Sequence, residues 1–548
     1  MSMSKSFRRI GQMLCAVALA ALVAAPSVLA QATSTFNGRV VDQDDAVLPG
    51  VTITVTNDAT GVARTGVTNE QGLYFMPGLE PGVYTLRTEL PGFAPSVRER
   101  VALGVNATIS IDFKVGLAGV SEAITVTGAA PLIEVTQSKV ATSIEATELR
   151  ELPMITRTVS GMLTLLPGAA PVAELHRTKA NVGTVSYGGS SGANVVPTVD
   201  GADNRDNHYG GPLMSFTTES LEQFQLATSQ FTAADGRTGG AAVSMVTKSG
   251  TNVMHGSAFI YERDKNLTSK DFFTAQRDAE KLPFSRQQFG GSIGGPIVRN
   301  KMFFFGAIEQ MLEDIADQVP DNVFNQLDAL VAAERRGNLP RGLVNPDHPR
   351  FGERPGTLRM MSLKTNVQLN NNHSVIFRFS NQKDTREAVT WATNNDLRER
   401  EDSNITAEAY VAQHSWVIGG TSLNQITGQV NHMNFLGDSV SNITGEHYIR
   451  DFPNVNIFPP RLAFPTVNTG QGGAGGTKSN RYVIQFKNDF SSQQGAHALK
   501  IGANYNDLQN LGIINANEHF ATLTFFDDPS TILNNTNGRY PQGFQTPG

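Results

Sequence analysis

The amino-acid sequence predicts a mainly β protein in three parts: an N-terminal β-sandwich, a small α/β domain, and a partial antiparallel transmembrane β-barrel. Three observations predict it. Gly contributes 52 of the 548 residues while charged residues make up only 17%, a balance suited to many short strands and turns. Apolar and polar residues alternate with period two through much of the chain, as in strands with one buried face. Residues 1–30 read as an export signal, yet no later stretch stays apolar for the roughly 18 residues of a spanning helix. An exported chain that crosses a membrane without helices crosses it as a closed wall of strands.

The export signal has the expected order. Lys5, Arg8 and Arg9 form a positive start, 10–25 is an apolar run, and Val28-Leu29-Ala30 supplies a small-residue cleavage site before Gln31. The sole cysteine, Cys15, lies in this segment. The mature chain is therefore expected to lack disulfides, thiol catalysis and cysteine-ligated metals. With 44 Lys+Arg against 50 Asp+Glu, no basic field points to nucleic acid and no acidic tail to disorder.

Residues 34–115 carry the sandwich. Val51, Ile53 and Val55 alternate with Thr52, Thr54 and Thr56; Ile109, Ile111 and Phe113 alternate with Ser110, Asp112 and Lys114. Turns recur at Pro49-Gly50, Asn57-Asp58, Pro77-Gly78, Pro81-Gly82 and Pro91-Gly92. About seven short strands at this spacing predict a small antiparallel sandwich. The motifs FNGRVVDQDDAVLPGVTITVTN, TNEQGLYFMPGLEPGVYTLRTELPGF and ATISIDFKV closely resemble carboxypeptidase regulatory-like domains, which implies a transthyretin-like fold within the wider starch-binding-like set. It implies no peptidase activity, since no His-x-x-Glu zinc pair occurs. Carbohydrate binding follows only by analogy of fold. Its candidate contacts are Tyr74, Phe75 and Tyr84, whose rings suit stacking on sugars and equally suit packing in a core.

Within 120–130, SEAITVTGAAP resembles the box through which TonB-dependent outer-membrane receptors engage a TonB-type energy-coupling protein. The chemistry required is an extended, β-prone peptide able to add to a partner's sheet edge. Glu122, Ile124, Thr125, Val126 and Thr127 meet it, and Gly128 with Pro131 ends the strand. A linker strand packing on a neighbouring domain is the other reading of the same residues.

Residues 131–252 resemble the plug of that receptor family, above all its Oar-like group, in which a regulatory-like domain also precedes the plug. Thr142-Ser143-Ile144-Glu145 reads as a capping box opening a helix over 146–152 that Pro153 ends. A second short helix is expected over 159–166 and a third near 218–223. Asp200, Asp203 and Asp206 are hard oxygen ligands in type but lack an EF-hand's closing Glu, so a solvated loop is expected. His176 and His208 have no partner at ligand or triad spacing and are expected to face solvent. Gly236, Arg237, Gly239, Gly240 and Gly250 mark the junction, where backbone must approach backbone closely.

Residues 253–548 carry the barrel strands. Tyr482, Ile484, Phe486 and Phe490 share one face against Gln485, Lys487 and Asp489; Leu499, Ile501, Ala503 and Tyr505 oppose Lys500, Gly502, Asn504 and Asn506. Val375, Phe377 and Phe379 oppose Ser374, Arg378 and Ser380, and Tyr410, Ala412, Trp416 and Ile418 form another stripe. Tight hairpins such as Asn370-Asn371-Asn372 alternate with long loops such as 313–355. TKSGTNVMHGSAFIYERD and QFGGSIGGPIVRNKMFFFGAIE resemble the plug–barrel junction and first hairpin of Oar-like receptors. About ten strands are expected here against the ~22 of a barrel that holds a plug, so a C-terminally truncated wall, an arc, is expected.

The resemblance implies an outer-membrane receptor or transporter. Its partners would be a TonB-type energy-coupling protein, outer-membrane lipid and an unidentified extracellular substrate, with carbohydrate one class. A surface carbohydrate-binding or adhesion protein is the alternative. No cofactor, catalytic pair or metal cluster is expected.

Overall fold

The computed structural model describes residues 34–118, 124–126, 140–145, 148, 157, 161, 163–164, 166–171, 185–190, 194–207, 210–229, 236, 238–270, 272–276, 278, 280–339, 348, 350–387, 401–439, 461–469, 477–495, 497–514 and 522–546. The export segment, Glu122, Thr127, His176, His208 and Arg237 lie outside them.

The sandwich is built from β1 (Ser34–Val41), β2 (Thr52–Asn57), β3 (Ala63–Val67), β4 (Leu73–Leu79), β5 (Gly82–Glu89), β6 (Ser96–Leu103), β7 (Thr108–Ser110) and β8 (Phe113–Lys114). One sheet runs β4-β1-β7 with β8 also on β1; the other runs β3-β2-β5-β6 and is extended by β9 (Ile124–Val126). The sheets are not purely antiparallel as expected: β7 and β8 join β1 in parallel, and β9 joins β6 in parallel. Alternation does its predicted work here. Phe36, Ile53, Val55, Leu86 and Phe113 point between the sheets and are fully buried, while Thr52, Thr54 and Thr56 face outward.

The second domain centres on one five-stranded sheet, in the order β10-β15-β16-β13-β14. Its strands are β10 (Val140–Glu145), β13 (Val195–Val199), β14 (Ala202–Asp203), β15 (Leu221–Ser229) and β16 (Ala241–Thr247); β11 (Ala169–Pro171) and β12 (Val185–Tyr187) pair separately. The expected capping box is corrected. Thr142, Ser143, Ile144 and Glu145 lie in β10, paired with Leu226, Gln225, Phe224 and Gln223. Tertiary pairing has overridden a local helix-start signal, because Ile144 gains a buried place on the sheet. The third expected helix shrinks to one 3-10 turn at Thr218–Ser220, and β15 follows at once.

The wall is a nine-stranded antiparallel sheet. Its strands in order are β17 (His255–Asp264), β18 (Phe284–Val298), β19 (Met302–Gln318), β20 (Phe351–Asn370), β21 (His373–Arg386), β22 (Glu401–Ile418) and β23 (Ser422–Ser439), then β26 (Thr477–Gln494) and β27 (His497–Ile514). Short strands β24 (Arg461–Ala463) and β25 (Asn468–Thr469) lie between β23 and β26. Outward side chains are the apolar ones of the predicted stripes. Phe377, Trp416, Ile484, Phe486, Leu499 and Ile501 are all exposed, whereas Arg378, Ser380 and Gln485 turn inward and are buried. Among the described residues β17 and β27 each pair on one side only, so the sheet is an open arc.

The predicted loop over 313–355 is corrected too. β19 continues to Gln318, helix α1 (Asp321–Arg335) follows, and β20 begins at Phe351. Val323, Leu327 and Leu330 of α1 pack with Leu462, Phe464 and Ile532. Ile532 belongs to helix α2 (Pro529–Asn534), and β28 (Thr522–Thr524) pairs with β24. Two long connections and the segment after β27, at the end of the wall opposite its tight turns, therefore share one small apolar core.

Candidate functional site: the filled lumen and the coupling strand

The hairpin between β13 and β14 carries the most consequential residue of the second domain. Asp200-Gly201 turns with φ of 46° and 71°, the paired left-handed conformation that favours an Asp-Gly dipeptide in a two-residue hairpin. The turn drives Asp200 against the wall, where it is buried. Its carboxylate accepts from the Thr247 amide at 3.0 Å and the Thr247 hydroxyl at 2.8 Å. Lys364 of β20 and Arg378 of β21 each stand 3.3 Å from it. Burial alone would raise the pKa of this carboxyl, but the two cations and the Thr247 hydrogen bonds outweigh it and hold Asp200 below the ordinary range.

The expectation of a solvated loop is therefore overturned for all three aspartates. Asp206 is fully buried and pairs with Arg481 of β26 at 2.9 Å. Asp203 donates its amide to Gln485 at 3.0 Å, and its carbonyl accepts from Gln429 at 2.6 Å and Asn431 at 2.9 Å. The loop is polar because a polar lumen wall surrounds it. No group of three or more His, Cys, Asp or Glu that could hold a metal ion occurs among the described residues.

Further contacts close the interface. Ser215 donates its amide to Gln382 at 2.7 Å, and the Thr217 hydroxyl donates to Glu309 at 2.6 Å. Arg157 pairs with Glu219 at 3.4 Å and lies 4.4 Å over the Tyr261 ring. An apolar seam joins Leu221, Phe224 and Met245 of the domain to Ile405, Ala407, Met433 and Phe435 of β22 and β23. The second domain thus fills the concave side of the wall. Removing one member of a buried ion pair costs about 3–5 kcal/mol, because the survivor is left in a dry site.

The junction residues divide. At Gly250 an added Cβ would collide with the Phe304 carbonyl of β19, so close backbone approach excludes any larger residue. At Gly240 it would meet the Ser190 hydroxyl. Gly239 has only ordinary contacts and Gly236 is exposed, so neither is constrained in this way. Asn252 was missed by sequence reasoning. It ties the sandwich to the wall: its amide donates to Ala59, its side chain donates to Thr60 at 2.5 Å, and its side-chain carbonyl accepts from Asn300 at 2.9 Å. Asn366 of the wall likewise donates to Glu80 of the sandwich at 2.6 Å. A cavity of about 100 Å³ lies where the parts meet, lined by Glu80, Tyr84, Asp200, Gly250 and Lys364.

The sandwich therefore sits at the tight-turn end of the wall, the periplasmic end in barrels of this kind. The candidate carbohydrate contacts are corrected by their burial. Tyr74 and Tyr84 are core residues whose hydroxyls donate to the carbonyls of Ile111 at 2.8 Å and Glu80 at 2.7 Å. Tyr84 packs edge-on against Phe36. Neither ring offers a face to a sugar, and Phe75, between them in β4, is half-buried. Of the coupling residues, Ile124, Thr125 and Val126 form β9 on the outer edge of the sandwich, in register with Ser96, Val97 and Arg98.

Two family models match the wall and the sandwich. A family model described as an outer membrane beta barrel domain matches residues 246–348 and 350–545, and a carboxypeptidase regulatory-like domain model matches 35–116. The chain is 29% identical over 306 residues to the TonB-dependent transporter Oar of Myxococcus xanthus, covering 53% of this chain and 28% of that one. The outer membrane transporter YddB of Escherichia coli is 12% identical with a TM-score of 0.47, over 67% of this chain and 48% of that one. The siderophore receptor PirA of Acinetobacter baumannii is 13% identical with a TM-score of 0.46, over 68% and 48%. The chain thus spans less than a third of the curated relative and about half of these solved structures. It belongs to the outer membrane beta barrel domain family, is a protein of the outer membrane, and carries a carboxypeptidase regulatory-like sandwich ahead of its wall.

Proposed function

We propose that this protein is a receptor that admits an extracellular substrate through its lumen when a TonB-type partner, acting on Glu122, Ile124, Thr125, Val126 and Thr127, displaces the plug. One observation carries the reading. Among the described residues, the first strand of the plug sheet after the coupling segment, β10, is an edge strand paired with β15 alone. An edge strand can be drawn off one neighbour without first breaking a second ladder. Only 13 residues, 127–139, separate β9 from β10, so a pull on the coupling segment reaches the plug over a span of at most ~3.3–3.6 Å per residue.

The interface chemistry supports the same reading. A plug held by ion pairs and side-chain hydrogen bonds has polar partners on both surfaces, which water can take over when the two separate. The apolar seam to β22 and β23 is the part whose separation would expose surface to water at about 25 cal/mol per Å². The class of the Myxococcus relative, a TonB-dependent transporter, points the same way.

The test is uptake by cells carrying Ile124→Pro or Val126→Pro. Proline removes a backbone donor and blocks strand addition. Uptake dependent on the unsubstituted protein should disappear while its level in the outer membrane stays the same. Normal uptake by both variants would refute the coupling role of this segment.

A further inference from the structure

We infer that the outer edge of β6 is the resting dock of the coupling segment, so that the sandwich and a TonB-type partner compete for one strand. This rests on the coupling role proposed above and adds its control.

Two neighbouring stretches bring the segment to that edge. The Ala94 amide donates to Gly116 at 2.8 Å, the Ala118 amide donates to Gly92 at 3.0 Å, and Phe93 bridges Leu117. The chain leaving β8 is therefore fastened beside the start of β6. At Ile124–Val126 it is fastened again, as three parallel pairs with Ser96, Val97 and Arg98. The other side of β6 is occupied by β5, so β9 takes the one edge of β6 left open. The pairing is short and parallel, the weaker of the two ladder types, which suits a strand that must leave.

The sandwich itself is anchored. Asn252 holds Ala59 and Thr60, Asn366 holds Glu80, and the Val105 amide donates to Gln223 of the plug at 2.6 Å. A strand docked on an anchored domain is held against a pull. Load therefore reaches β10 only after β9 has left β6. The backbone groups that face β6 are also those a partner's sheet edge needs on that side of the strand.

A reversible lock tests this in the full-length protein. In a Cys15→Ser background, Val97→Cys and Thr125→Cys place thiols at directly opposed register positions, within the usual reach of a disulfide. Oxidation with copper phenanthroline should close this bridge, and a Val97→Cys protein alone should form none. Capture of the isolated C-terminal domain of the TonB-type protein is then compared between the oxidised and reduced states of the same double variant. Capture should be at least about tenfold weaker when oxidised and should recover on reduction. Failure of the bridge to form, or equal capture in both states, would overturn the dock. If the unsubstituted protein fails to capture the domain at all, the coupling role falls and the dock falls with it. If it captures the domain and the locked form does so equally well, only the dock falls.

Discussion

Phe36, Ile53 and Leu86 of the sandwich and Asp200 and Asp206 of the plug are all buried, but their partners lie at very different distances along the chain. The sandwich core closes within residues 36–115, by apolar side chains that its own strands present. Two buried carboxylates of the plug take their cation partners across the lumen, Asp200 in Lys364 and Asp206 in Arg481, 164 and 275 residues further on. One domain carries its own means of folding. The other has apolar residues of its own in a core that it shares with its wall. The contrast teaches that a domain can be seated by buried polar pairs beside an apolar seam, and that such paired groups can exchange each other for water.

The largest expected break in this contrast comes from single substitutions on either side of it. Asp200→Ala leaves Lys364 and Arg378 buried without their carboxylate, at a cost of about 3–5 kcal/mol. Limited proteolysis should then cut the plug while the sandwich stays resistant. Phe36→Ala empties a fully buried site in the sandwich at a similar cost of about 3–5 kcal/mol. Cleavage should now fall within residues 34–115, with the plug and wall protected. A smaller effect is expected from Tyr74→Phe, which removes the hydroxyl bonded to Ile111 and should cost about 1–3 kcal/mol, read as a lower unfolding temperature of the sandwich.

The smallest effect is that of pH. Asp200 is held below its ordinary value of 3.8 in the folded protein. A depressed carboxyl stabilises fully above the unfolded value and loses that contribution as pH falls through the folded one. Plug protection should therefore be level between about pH 5 and 8 and fall only in strong acid, below the ordinary aspartate range. A loss of protection at pH 6 would show that another group governs the seat.

The same contrast explains what could be read from the sequence. The sandwich was legible because its signals are local: Val51, Ile53 and Val55 alternate within one strand, and Pro-Gly pairs mark its turns. The wall was legible for the same reason, and Arg378 could be placed on the lumen side by parity with Ser374 and Ser380 alone. The role of Asp200 was not, since nothing near it in the chain announces Lys364 or Arg378. The Asp200-Gly201 dipeptide after an apolar run did signal a hairpin, and that signal would have argued against a solvated loop. The capping box read at 142–145 is a strand because the partners of Ser143 and Glu145, Gln225 and Gln223, lie some 80 residues away, whereas Glu148, the described residue of the helix expected over 146–152, is helical. Helix α1, in what looked like a long loop, depends on Leu462, Phe464 and Ile532 for its apolar face.

The most direct test of how the plug is seated is amide hydrogen exchange on the full-length protein in detergent micelles, comparing the unsubstituted chain with Asp200→Asn. Exchange should quicken across Val195–Val199 and Ala241–Thr247, the strands flanking the lost charge, while Thr52–Asn57 and Gly82–Glu89 of the sandwich keep their protection. Unchanged protection of Val195–Val199 and Ala241–Thr247 would contradict a plug held in its wall by buried charge.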